Sequence, residues 1–424
     1  MRDKLKTLFS TGFFHVFGGN VLNKILVFLS SVILVRILTK QEYGIFTYSW
    51  NIYNIVILLS GMGIASGLLQ ICSEKGGEPA FCNHVLHYSV KQGMLFNVLL
   101  GAVLLLLAFL APLKVKGADI LLFMLCLLPL IQILYDLSTS YLRSQKRNQE
   151  YVRITVINTV LVLVVSACCA FYFKEKGLIM GYYAAYLVTV LYAVMVMKIP
   201  IFNRTTTNDL DNQTKQTLFK ISFISMCNNG LSQLLYLLDV LVIGIIIADE
   251  SVLASYKVGT MIPSALAFIP LSLMTYVYPY FAEKRLDKKW CWKRYKQIVI
   301  GFGLFNLFIC LCLFILAPWI VHTFFGAQYD DSIAVFRILS LNYFFSGTFR
   351  VVSGNLLITQ RKLKFNLLVA CVSGVVNVIA DIVLIYFYGS IGAAIATVLV
   401  TLVSGILSTT YLIYTLKKDN ILRQ

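Results

Sequence analysis

The apolar positions of this chain fall in runs of about 20 residues, neither alternating as in a strand nor confined to one stripe as in a soluble helix. One run, Val21 to Gly44, reads VLNKILVFLSSVILVRILTKQEYG. As a helix it is long enough to cross roughly 30 Å of hydrocarbon. Yet the span it belongs to, 13–38, carries Lys24 near its middle and Arg36 near its end. A lysine at that depth costs at least about 2.5–3.5 kcal/mol in lipid, so it should face protein or water. The pattern predicts twelve such spans, at 13–38, 45–70, 88–111, 118–142, 151–173, 178–198, 218–247, 254–281, 296–317, 333–357, 366–388 and 390–416. The runs are too long and too continuously apolar for an outer-membrane barrel. The expected fold class is therefore an all-α polytopic membrane protein, with twelve transmembrane helices in two six-helix lobes.

The longest polar stretch, Pro200 to Lys220, separates the two sets of spans. It predicts an N-terminal lobe at 1–199, a cytoplasmic linker at 200–217 and a C-terminal lobe at 218–424. The lobes read as repeats. Lys24 and Asp239 are 215 residues apart, Tyr43 and Tyr256 213, Gln145-Lys146-Arg147 and Gln360-Arg361-Lys362 215, and Gly177 and Gly389 212. Each pair occupies the same topological slot. An even number of spans per repeat means that both enter the membrane in the same direction, as two parallel lobes about a cleft.

Composition sharpens this picture. Of 424 residues 59% are hydrophobic and 13% charged, well below the charge content of soluble domains. The net charge of +17 would suit nucleic acid, but its distribution argues for membrane orientation instead. One loop between spans carries Lys284, Arg285, Lys288, Lys289, Lys293, Arg294 and Lys296, whereas the opposite face has only Lys40, Lys114, Lys116, Lys174 and Lys176. That asymmetry places both termini in the cytoplasm. The basic start MRDKLKTLFS has no small-residue cleavage site after its first apolar run and reads as part of a retained first helix. Most of the ten cysteines lie inside apolar runs, as small hydrophobes. His84 and His87 have i, i+3 spacing without a third ligand, so no metal site is expected. No GxxxxGK[ST] occurs, so ATP does not act on this chain directly.

Arg36-Ile37-Leu38 followed by Tyr43-Gly44 resembles the end of the first helix in polysaccharide flippases. So do Asp239 with Gly244 and Tyr256, then Asn377, Asp381, Gly389 and the GAAIAT run from Gly392 to Thr397. The chain is similar to the O-antigen and polysaccharide flippase (Wzx-like) branch of the multidrug/oligosaccharidyl-lipid/polysaccharide (MOP) exporter superfamily, over nearly its whole length. The resemblance implies a MATE/MOP-like, V-shaped pair of six-helix bundles in a bacterial cytoplasmic (inner) membrane. It implies alternating-access translocation of an undecaprenyl-diphosphate-linked oligosaccharide (an O-antigen, capsule or exopolysaccharide repeat unit) from the inner to the outer leaflet. Expected partners are that lipid-linked oligosaccharide, membrane lipids, and the polymerase and glycosyltransferases of the same pathway. Two other readings stay open: a multidrug or cation antiporter of the same superfamily, and a membrane polysaccharide polymerase. No loop is large enough for a catalytic domain, which favours a transporter over an enzyme.

Charges inside the spans carry the candidate chemistry. Lys24, Arg36, Lys257, Arg337 and Arg350 exceed the acids Asp136, Asp239 and Asp381 by two. A diphosphate needs cations and donors in a wet cavity, which Lys and Arg supply; a drug cation would want the opposite sign. The five cations are therefore the expected cargo-binding residues, although Arg36, Lys257 and Arg337 are close enough to helix ends to snorkel. The competing reading pairs Lys24 with Asp136 in the first lobe and Asp239 with Arg350 in the second. Asp239 and Asp381 are also candidates for carrying a coupling proton or sodium ion; no other cofactor is expected. Tyr53, Tyr236 and Tyr343 are candidates for stacking on sugar rings.

Overall fold

The computed structural model describes residues 13–75, 78–201 and 210–421, and the described elements are helical. The helices are α1 (Phe13–Ile37), α2 (Lys40–Ile57), α3 (Ile64–Glu74), α4 (Pro79–Leu110), α5 (Ala118–Leu125), α6 (Leu128–Ser144) and α7 (Asn148–Met195), followed by α8 (Asn212–Ile246), α9 (Glu250–Ala265), α10 (Phe268–Glu283), α11 (Lys288–Phe324), α12 (Ser332–Phe345), α13 (Val351–Thr359) and α14 (Leu363–Ile421). By length and apolarity five spans qualify as membrane-crossing, and seven if the bent pairs α2–α3 and α5–α6 each count as one. The other expected spans lie on helices that this criterion does not select. The chain is a multi-pass membrane protein.

The helices start and stop where local chemistry dictates. Thr39 caps α2 through a capping box with Glu42, satisfying two orphan backbone N–H groups. Asp249 caps α9 by accepting from the N–H groups of Ser251 and Val252. The eighth expected span, with Pro263, Pro270 and Pro279, divides into α9 and α10 just after Pro263; the side chain of Pro279 lies outside the described residues.

The chain forms two compact units, Met1–Leu237 and Leu238–Gln424, with the boundary inside α8. The first part of α8 belongs to the first unit because Leu218 is buried among Leu68, Cys72, Val85, Leu86, Ile133 and Leu137. The core of the second unit gathers Phe281, Cys291, Tyr295, Val352, Leu356 and Leu412 from α10, α11, α13 and α14. Many of the largest apolar side chains face outward instead, among them Leu95, Phe109, Phe171, Leu304, Phe308 and Phe387. Such a surface is at rest only against acyl chains.

Around the helix breaks the units repeat one another at a spacing of 215 residues, which corrects one of the sequence correspondences. Helix α7 is interrupted at Lys174 (φ 55°, ψ −135°) and α14 at Gly389 (φ 61°, ψ −138°). These two residues are the equivalents, and Gly177 corresponds to Gly392 rather than to Gly389. A β-carbon on Gly177 would lie 2.1 Å from the carbonyl oxygen of Cys169, and one on Gly392 would lie 1.9 Å from that of Leu384. Both glycines let two antiparallel helix segments touch backbone to backbone. Lys146 (φ 57°) and Arg361 (φ 58°) likewise form the same turn. In each, the next residue donates back to the helix: Arg147 to Leu142 and Lys362 to Leu357.

Candidate functional site

In the second unit α8, α9 and α14 bring together five residues, Asp239, Tyr256, Asn377, Asp381 and Thr397. Asp239, on α8, is buried and accepts hydrogen bonds from Tyr256 of α9 and, at 2.9 Å, from Thr397 of α14. One turn apart on the other arm of α14, Asn377 donates to Asp381 at 3.1 Å, and both are buried. The two carboxyl groups are near enough for each to feel the other's charge. Among the described residues Asp381 Oδ1 and Asn377 Oδ1 have no hydrogen-bond partner, and neither do the hydroxyls of Ser373 and Thr401. The Gly389 break reverses the chain and thereby sets Thr397 beside Asp239 while Asp381 approaches from the preceding arm. Two carboxyls that close repel if both are charged and bare, so such a cluster fits one proton or one cation between them.

The first unit places Asp136 in a different setting. It is half-buried on α6, and among the described residues no hydrogen bond or ion pair reaches its carboxylate. Aromatic residues surround it: Tyr53, Tyr135 and Tyr186 are all near enough to feel its charge. Tyr135 and Tyr186 meet edge to face at 5.4 Å, and Trp50 stacks on Tyr182 at 4.3 Å and on Tyr53 at 5.0 Å. Tyr53 is buried and donates to Gln132 Oε1 at 2.5 Å. Tyr182 and Tyr186 are half-buried, four residues apart on one face of α7.

The expected ion pairs between first and fourth helices are not what organises either unit. Among the described residues no ion pair joins Lys24 to Asp136, and Asp239 bonds to hydroxyls of Tyr256 and Thr397. The physical reason is that a neutral hydroxyl satisfies a buried carboxylate without adding a second desolvated charge. Lys24, Arg36, Lys257 and Arg350 are exposed side chains on α1, α9 and a π-turn at Ser346–Arg350. Arg337 is half-buried, donates to the Phe314 carbonyl at 3.2 Å and lies over the ring of that residue at 5.2 Å. Tyr343 is buried and donates to Asn306 at 2.9 Å. The side chain of Tyr236 lies outside the described residues.

Sequence reasoning singled out Asp239 and Asp381 but did not place Thr397 beside Asp239, and it passed over Trp50, Gln132, Tyr135, Tyr182 and Tyr186. The Asn377/Asp381 and Tyr182/Tyr186 pairs, each at i, i+4 within an apolar run, were the available signals.

The described helices, with their repeated turns and buried polar cluster, have a MOP-type fold. A multidrug resistance MATE family transporter of the MOP superfamily, in an inward-facing conformation, superposes with TM-score 0.76 at 14% identity, over 93% of this chain and 95% of the other. The lipid II flippase MurJ, in an inward closed conformation, gives TM-score 0.73 at 15% identity, over 95% and 87%. A MOP superfamily transporter from Pyrococcus furiosus gives 0.56 at 12% identity, over 94% and 93%. No curated protein matches the chain. The chain belongs to the polysaccharide biosynthesis protein family, whose model matches residues 33–334.

Proposed function

We propose that the protein is a flippase that moves an undecaprenyl-diphosphate-linked oligosaccharide from the inner to the outer leaflet of the bacterial cytoplasmic membrane, by alternating access and with both termini cytoplasmic. The observation that carries this reading is the family match, a polysaccharide biosynthesis family, on a fold shared with a lipid II flippase. The side chains are consistent with such a cargo. Lys24, Arg36, Lys257 and Arg350 are exposed on helices of a membrane protein, where a charge is stable only against water, protein or an anionic ligand. These are the groups we assign to the diphosphate. The tyrosines and Trp50 around Asp136 offer rings and a bare carboxylate to sugar hydroxyls. In this reading the protein binds and reorients its cargo without breaking a bond, and it is not an enzyme.

The Asp239–Asp381 cluster is the proposed seat of coupling to a proton or sodium gradient. Its unpartnered oxygens, Asp381 Oδ1 and Asn377 Oδ1, are the hard donors that an alkali cation takes. Deletion of the gene tests the assignment: undecaprenyl-linked repeat units should accumulate and surface glycan should fall. Unchanged glycan and intermediates, with a newly drug-sensitive cell, would make the protein a multidrug antiporter instead.

A further inference from the structure

A crevice on the first unit has no part in the function proposed above. It is a half-open crevice with a cavity volume of about 120 Å³, between α4, the first turns of α8 and the break that separates α2 from α3. At that break Gly61, Met62 and Gly63 all adopt positive φ. Asn97 holds the broken strand of chain, accepting from the Gly61 N–H at 2.7 Å and donating to the Pro129 carbonyl at 2.7 Å. Irregular backbone at membrane depth persists where it is covered by protein or lines a cavity, and here it does both.

The walls differ from end to end. Leu95, Leu99 and Phe219 line one side and are each more than half exposed, so the crevice opens where the unit presents its apolar surface. Tyr88, Gln92 and Ser222 supply polar groups. Beside Tyr88, Lys215 sits with its ammonium 5.7 Å from the ring centroid. Among the described residues no carboxylate pairs with Lys215. A greasy slot with an uncompensated cation at one end matches an amphiphile with a chain and an anionic head.

We propose that this crevice seats one acyl chain of an anionic phospholipid whose phosphate is held by Lys215. Bulk phospholipid is the occupant because it is the species present at highest concentration along that apolar face, and occupancy follows concentration over dissociation constant. The inference does not depend on what the protein transports.

Native mass spectrometry of the full-length protein in mild detergent tests it, with phosphatidylglycerol and phosphatidylcholine of identical chains. The expected result is one retained lipid, with phosphatidylglycerol favoured about five-fold, the share of one lysine at a membrane surface. Lys215→Gln should bring the ratio of the two lipids near one. Leu95→Trp should fill the slot and cut retention of both lipids at least about five-fold; Leu99→Trp, one turn away, provides a second blocking variant. Leu106→Trp, exposed on α4 but outside the crevice, should change neither quantity. Unchanged retention in both blocking variants, or an unchanged ratio in Lys215→Gln, would overturn the proposal. Displacement by soluble glycerol phosphate would also overturn it, since the chain would then contribute nothing. Preferential retention of a polyprenyl phosphate would give the crevice to the cargo and overturn it as well.

Discussion

Asp239 bonds to the hydroxyls of Tyr256 and Thr397 and approaches a second carboxyl, and among the described residues no lysine or arginine forms an ion pair with it. If a proton or sodium ion completes this cluster, Asp239→Asn and Asp381→Asn should each leave a protein that inserts but no longer responds to an imposed gradient. Export measured with and without a sodium or proton gradient checks this; retained gradient dependence in both variants would remove the cluster from the coupling role. The cations should divide by their surroundings. Lys24→Ala and Arg350→Ala should each reduce export at least about ten-fold, equivalent to some 1.4 kcal/mol of lost cargo interaction. Arg337→Ala should instead act on stability, costing about 0.5–2 kcal/mol for the lost carbonyl bond and ring contact, with export nearly intact. Thermal melting beside export separates the two classes. At this scale the sequence revealed which residues were out of place, because a charge in an apolar run is visible by itself. It did not reveal their partners. Thr397 meets Asp239 only because the chain reverses at Gly389, and a hydroxyl in an apolar run carries no mark that distinguishes it from a lipid-facing one.

Among elements, the helix breaks matter most. The turn at Lys174 and its equivalent at Gly389 each join two helix arms that then pack closely, and Gly177 and Gly392 remove the β-carbon where the arms touch. Gly177→Ala and Gly392→Ala should each destabilise their unit by about 1–3 kcal/mol or more, since the facing atom is a backbone carbonyl that cannot swing aside. Detergent melting temperatures report this, and a variant melting with wild type would show that the arms separate at little cost. Hydrophobic runs and charge-bearing turns were legible as elements, including the repeated Gln-Lys-Arg and Gln-Arg-Lys turns. The register of the repeat was off by three residues at the glycines, because identity at a glycine was matched where conformation was not: in one unit a lysine occupies the left-handed position. The bends in α2–α3 and α5–α6 were not foreseen, although Gly61 and Gly63 stand at the first and Pro129 at the second.

The whole molecule combines an apolar exterior with charged and aromatic clusters inside each unit, and it shares its fold with transporters that differ in cargo. Fold therefore restricts the mechanism, while the substrate must be argued from the family and from the sign of the exposed charges. The central claim is that this chain carries a sugar-bearing lipid diphosphate across a bilayer. Its most direct test is reconstitution in liposomes that hold a fluorescent undecaprenyl-diphosphate oligosaccharide, with access measured by a lectin added outside. The account predicts that wild-type protein makes the inward-facing pool accessible within minutes, and that Lys24→Ala and Arg350→Ala slow this at least about ten-fold. Accessibility no faster than in protein-free liposomes, from protein that is folded and inserted, would contradict it.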